Sequence, residues 1–301
     1  MIQELKVRNY RGEEIKMELT KPEVTGFAIT DIDGIGPEKA DILSSEIATT
    51  DGSLFNSSRI PKRTITINIT FLPSPTIEDT RQRTYKYFPL KKPLTLFFKT
   101  DNRECYINGY VESNEPDIFS KAESTKISIV CPDPYFYSVR EYQTIFYGIQ
   151  PLFEFIFSNE SLTRPLLEMG QINRMTEQTV YYEGDAEVGV VIHLIAMGEA
   201  TDITIYNTET REKMRIDTDK LKQISGAKFG AGDELIITTI KGKKSVRLLR
   251  AGIYSNVLNC LDRDSDWFQL AKGDNVFTYT AKTGDTNLQF RVENQLVFEG
   301  I

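Results

Sequence analysis

The chain has 301 residues, with 36 basic side chains against 43 acidic ones, a formal net charge of −7 and 40% hydrophobic residues. That length accommodates two domains with a self-sufficient core each, and the composition is that of a folded chain rather than a disordered one. An acidic balance with no basic block argues against a nucleic-acid partner, which needs a concentrated basic face to release counterions.

No run approaches the roughly 18 apolar residues needed to span a membrane. The first residues, MIQELKVRNYRGEEIK, are polar and carry no signal-peptide core, so synthesis in a cytoplasm without an export address is expected. Cys105, Cys131 and Cys260 are odd in number and far apart, which suits reduced packing cysteines better than a disulfide framework or a zinc site.

In chain order, residues 2–20 have the pattern of a β-hairpin. Leu5 and Val7 alternate on the way out, Asn9-Tyr10-Arg11-Gly12 supplies turn residues, and Ile15, Met17 and Leu19 alternate on the way back. A strand follows over about 24–32. The pattern then stops: residues 33–60 are rich in Gly, Ser, Thr and Asp, with irregularly spaced apolar residues. A loop of that length inside a compact domain is expected to be a projecting arm or long hairpin ordered by a neighbour, the alternative being an ordinary surface excursion. Gly36, Ile42, Leu43, Ile47, Leu54 and Phe55 are its candidate contact residues.

Residues 62–72 form the clearest strand, with Ile65, Ile67, Ile69 and Phe71 alternating against Thr64, Thr66, Asn68 and Thr70. One short helix is predicted over about 75–88. Ser74 or Thr76 caps it, Pro75 suits its first turn, Asp79 completes a capping box, and Ile77, Thr84, Tyr85 and Phe88 form its apolar stripe. Strands resume at 94–99, 104–112 and 126–131, with a polar hairpin loop over 113–123.

The stretch 124–138, STKISIVCPDPYFYS, is the seam of the chain. Its strand ends at Cys131, because Pro132 and Pro134 remove backbone donors, and it then turns through Asp133 into Tyr135, Phe136 and Tyr137. These five residues (the two prolines and three aromatics) form the predicted domain junction. The boundaries follow: an N-terminal β domain over 1–137, a linker over 138–150 and a C-terminal β-sandwich over 151–301. In the second half, strands are expected at 153–157, 188–196, 202–206, 213–217, 234–239, 245–249, 276–280 and 288–297, separated by glycine turns and with no further helix. The fold class is therefore mainly β, two sandwich-like domains, the second jelly-roll-like.

Chemistry is sparse. His193 lies in an apolar strand and is expected to be a packed or rim residue, since no partners for a metal ligand or general base are evident. Asp262, Asp264 and Asp266 are spaced like the start of a calcium loop, but Trp267 stands where the turn needs glycine. Asp31 and Asp33 are neighbours in one turn, a poor arrangement for glycosidase carboxylates. Gly34 and Gly36 fail as a phosphate cradle because Pro37 follows. Trp267 and Phe268 are candidates for stacking a sugar, with filling of the sandwich core as the favoured alternative. No cofactor, metal or catalytic set is expected.

The order of these features resembles the siphophage distal tail (Dit) proteins, the siphovirus-type tail component family. The resemblance is carried by the arm DGIGPEKADILSSEIATTDGSLFN, the strand RTITINITF, the helix, PLTLFFKTDNRECYINGYVESNE and CPDPYFYS. It continues through LLRAGIYSNVLNCLDRDSDWFQLAKGDNVFTYTA and the strand ending LVFEGI. It implies a non-enzymatic virion component at the tail tip, assembled in the host cytoplasm. It further implies a homo-hexameric ring of N-terminal domains with galectin-like C-terminal domains, contacting the tail tube protein, the tail-associated hub or lysin protein and a receptor-binding protein. In that picture the arm clasps the neighbouring subunit and the aromatic exit positions the outer domain. The alternative function is a carbohydrate-binding adhesion module acting through the C-terminal sandwich.

Overall fold

The computed structural model describes residues 1–46, 51–151, 170–174 and 177–301. The chain divides into two compact units, Met1–Arg140 with Val297–Ile301, and Glu141–Leu296. The segment expected as a linker is strand for most of its length, and the last residues belong to the first unit, so the second unit is an insertion in the sequence of the first.

Unit 1 contains β1 (Ile2–Asn9), β2 (Glu14–Glu18), β3 (Phe27–Asp33), β4 (Asp41–Glu46), β5 (Ser53–Arg59), β6 (Arg63–Phe71), α1 (Ile77–Tyr87), β7 (Pro93–Thr100), β8 (Glu104–Asp117), β9 (Ser124–Cys131) and the start of β10 (Phe136–Ile145). The β1–β2 hairpin closes as predicted: Gly12 adopts φ 80°, and the Asn9 side chain accepts from the Arg11 and Glu13 amides. All pairings are antiparallel. β2, β1, β7 and β8 run side by side, and β8 continues through β9 and β6 to β3.

β8 serves both runs because it is 14 residues long and shifts register between Val111 and Ser113, where a bulge bends it. Its extent shortens the predicted hairpin loop to 118–123. β9 lies between β6 and β8 and is thus an interior strand rather than an edge. The core is the inward phase of these strands: Leu5 and Val7, Leu96 and Phe98, Ile65, Ile67 and Ile69, Ile127, Ile129 and Cys131, all at most 1% exposed.

Thr76 caps α1, its hydroxyl accepting from the Asp79 amide at 3.1 Å. The Asp79 carboxylate meets that same hydroxyl at 2.6 Å instead of reaching back to a backbone amide, and Pro75 precedes the cap instead of sitting in the first turn. The helix buries Thr80 and Thr84, while Tyr85, expected on the apolar stripe, is 47% exposed.

Unit 2 contains the end of β10, β11 (Tyr147–Pro151), β12 (Gly170–Arg174), β13 (Glu177–Tyr182), β14 (Val188–Gly189), β15 (Val191–Ala196), β16 (Thr201–Asn207), β17 (Glu212–Ile216), α2 (Thr218–Ser225), β18 (Glu234–Thr238), β19 (Ser245–Arg250), β20 (Ile253–Asn256), β21 (Gln269–Leu270), β22 (Gly273–Thr283) and most of β23 (Leu288–Phe298). The predicted strand at 153–157 lies outside the described residues.

One sheet runs β23-β15-β18-β19-β20 and a second runs β13-β22-β16-β17. Aromatic rings join them into a sandwich. Tyr279 of β22 stacks on Phe290 of β23 at 5.4 Å, and its hydroxyl donates to the Leu288 carbonyl. α2 corrects the all-strand expectation. Asp217 caps it by accepting from the Asp219 and Lys220 amides, and Gly226 ends it at φ 77°, a start and stop legible in the sequence. The helix escapes hydrophobic periodicity because it is eight residues long and Leu221 is its one fully buried apolar residue.

Candidate subunit-contact site

Within the stretch 33–60, the described residues include two paired strands, the long-hairpin form of the expected arm. β4 and β5 pair from Asp41↔Arg59 to Glu46↔Ser53, with a register shift between Leu43 and Ser44. They form a two-stranded sheet of their own, and every residue of both strands is exposed. Ile42 is 67%, Leu43 58%, Leu54 57% and Phe55 66% exposed. The register places Ile42 and Phe55 on one face and Leu43 and Leu54 on the other. A two-stranded ribbon has no interior in which to bury either face, so both faces are left for a partner. Ile47 lies outside the described residues. Sequence periodicity fails here because the burial that creates periodicity within a chain is missing.

The root of the hairpin is the opposite in character. Gly34 turns at φ 80°, and a Cβ there would lie 2.1 Å from the Thr64 carbonyl, so no other residue fits without displacing β6. Arg63, the first residue of β6, is 1% exposed and gathers four carbonyls. Its Nη1 donates to Gly34 at 2.7 Å and Gly36 at 2.6 Å, its Nε to Pro134 at 2.7 Å and its Nη2 to Glu299 at 2.6 Å. The guanidinium lies 4.6 Å from the centroid of the Phe136 ring.

One side chain thus ties the hairpin root, the exit from β9 and the returning chain. Arg103 reinforces the last of these by donating to the Gly300 carbonyl and lying over Phe298, while the Ile301 amide donates to Ile35. Burial lowers the Arg63 pKa, but every bond it makes needs the charged fork. Arg63 was not singled out from sequence. Its signal is phase: it occupies the same inward phase of β6 as Ile65, Ile67 and Ile69, where a charge requires partners.

The predicted junction residues meet at this point. Phe136 is fully buried, edge-on to Phe98 at 5.8 Å. The Tyr137 hydroxyl donates to Asp133 at 2.6 Å, and burial followed by that carboxylate pushes the phenol pKa upward. Tyr135 donates its amide to the same Asp133, while Pro132 is exposed and Pro134 supplies a carbonyl to Arg63.

The other candidates resolve differently. Phe268 is fully buried and edge-on to Phe277, so it is core and unavailable to a ligand. Trp267 is half-buried, with the Lys244 ammonium 5.1 Å from its ring. His193 does have charged partners: its Nδ1 is 2.6 Å from Glu234 and its Nε2 is 3.4 Å from Glu293, which also pairs with Arg291. Asp262 pairs with Arg215, and Asp266 accepts from the Lys213 amide, so two of the three acidic residues fasten this loop to β17. Asp33 accepts from the Gly34 amide as a turn residue. Among the described residues no group of three His, Cys, Asp or Glu is placed to hold a metal. The reading of charge also needs correction: residues 241–250 contain three lysines and two arginines and no acid.

Residues 183–293 match the family model of the siphovirus-type tail component, C-terminal domain. No curated protein matches the chain. Among solved structures, SPP1 Dit (gp 19.1) superposes with a TM-score of 0.67 at 13% identity, covering 98% of this chain and 99% of that one. The phage P2 baseplate in its activated conformation with Ca also matches, with a TM-score of 0.46 at 10% identity over 98% of each chain. The fold is that of SPP1 Dit, and residues 183–293 are similar to the C-terminal domain of the siphovirus-type tail component family.

Proposed function

We propose that this protein is a structural subunit of a phage tail tip, a distal tail protein that closes into a homo-hexameric ring through the β4–β5 hairpin. The observation that carries the proposal is a hairpin with apolar residues on both faces, exposed at every residue of its two strands and fastened at its root by a buried arginine. A ring is built from heterologous contacts, so a donated ribbon and its receiving surface are different patches of one chain. In support, the fold is shared over nearly its full length with SPP1 Dit, which is described as a paradigm of the hub adsorption apparatus in phages infecting Gram-positive hosts.

In this reading the ring joins the tail tube protein on one side to the tail-associated hub on the other, at the tip of the virion tail. The experiment is the solution mass of the full chain by light scattering, with negative-stain images of the same peak, for the wild type and for Ile42→Asp/Phe55→Asp. Wild-type rings and a dissociated but folded variant are expected. A variant that forms the same ring removes the hairpin from the interface, and a wild type that stays monomeric at every concentration removes unaided ring closure.

A further inference from the structure

β20 is the terminal strand of its sheet, and all four of its residues, Ile253 to Asn256, are exposed. It is joined to β19 by a two-residue turn with Ala251 at φ 50° and Gly252 at φ 79°, the left-handed pair of a type I′ hairpin. The register pairs Arg250 with Ile253, and the Val257 amide donates to the Val246 carbonyl. The backbone groups of Ile253, Ser255 and Val257 therefore face β19. Those of Tyr254 and Asn256 face outward, along an open edge.

Natural edges are guarded by a lysine or proline on the strand, a bulge, or a covering segment. Among the described residues, none of these protects the four residues of β20. Ile253 and Tyr254 stand 71% and 58% exposed instead.

The cations lie beside this edge. Lys241, Lys243, Lys244 and Arg247 are exposed, and among the described residues no ion pair holds any of them. Arg250, the fifth, is clamped bidentately to Asp233. Arg247 shares a face with Tyr254 and lies over its ring at 5.5 Å, and Lys244 lies over Trp267. In a chain of net charge −7 this is a local reversal of sign, which draws and orients an acidic partner.

We infer that the β19–β20 edge docks an extended acidic segment of another protein, which adds to β20 as a further strand. Its backbone pairs with the outward groups of Tyr254 and Asn256, and its carboxylates meet Arg247 and the lysines of the β18–β19 turn. A second copy of β20 is the wrong occupant, since pairing the edge with itself brings like cations together. A simple polyanion accounts for the lysines but leaves the open backbone edge without a role.

The test uses the full chain and a fluorescent, end-capped octapeptide of alternating valine and glutamate, read by polarisation. Three comparison ligands are needed: the same peptide N-methylated at alternate amides, alternating valine and lysine, and inorganic polyphosphate. The valine–glutamate peptide is expected to bind saturably. Affinity should fall about tenfold or more on N-methylation and in Tyr254→Pro, the loss of one or two hydrogen bonds. A similar fall is expected in Lys243→Glu/Lys244→Glu, and the lysine peptide should not bind. The N-methylated peptide leaves the protein untouched, so the outcome does not depend on the proline variant folding. Equal binding of both peptide forms, polyphosphate binding that tolerates Tyr254→Pro while the peptide does not bind, or no saturation below millimolar peptide overturns the inference.

Discussion

Replacing Arg63 by alanine removes four hydrogen bonds of 2.6–2.7 Å at once. Bonds from a charged donor are worth about 1.5–3 kcal/mol each, which sums to roughly 6–12 kcal/mol. Against this, the unfolded chain regains the hydration of a guanidinium that the native state buries, a gain of several kcal/mol. The carbonyls left behind are only partly rehydrated, because the site is closed by Phe136 and β6. The net loss should be about 3–5 kcal/mol, the range for breaking a buried polar network.

Hydrogen exchange of the β6 and β9 amides reads this in unit 1 alone, where the loss appears as faster exchange by two to nearly four powers of ten. Unit 2 amides should be unchanged. Arg63→Lys should recover only part of the loss, since three donors on a point charge cannot reach four carbonyls in a fixed plane. A loss below about 1 kcal/mol for Arg63→Ala would refute the claim that this side chain fastens the hairpin root.

Phe268→Ala should cost about 3–5 kcal/mol in unit 2 through cavity formation, measured by urea denaturation, whereas Trp267→Ala should cost clearly less because that ring is already half exposed. The Asp233 carboxyl is held below its ordinary 3.8. Burial, which alone would raise it, is outweighed by the Arg250 fork and the Gly230 amide. A depressed folded pKa contributes stability above the unfolded value and loses it as pH falls through the folded one. Unit 2 should therefore weaken below about pH 4, and Asp233→Asn should flatten that part of an acid-unfolding curve. Burial pushes the thiols of Cys105 and Cys131 up to about 12 and Cys260 up to about 11. A thiol reagent at pH 8 should label none of them until the chain unfolds, and rapid native labelling would contradict their burial.

Much of the strand framework is legible in the chain because burial on one face imposes a period of two. β6 and β9 show it residue by residue, and β16 and β23 over most of their length, whereas β15 is buried on consecutive residues. The resemblance to the tail component family also rests on local features in sequence order, and it survives comparison over residues 183–293. What escaped was set by long-range contact. The purpose of Arg63 depends on carbonyls 27 to 236 positions away, and a side chain's hydrogen-bond partners leave no local pattern. The arm candidates Ile42, Leu43, Leu54 and Phe55 could be named as apolar residues in a polar stretch, but only their pairing shows that they lie on two faces of a ribbon without a core. The open edge at β20 likewise exists only once the sheet order is known, because an edge is a property of the neighbours a strand lacks. The amino-acid sequence by itself determined where strands form and which faces are apolar. Tertiary structure alone decided which of those faces are buried in the chain and which remain for other molecules, because burial depends on what packs opposite and not on the residue itself.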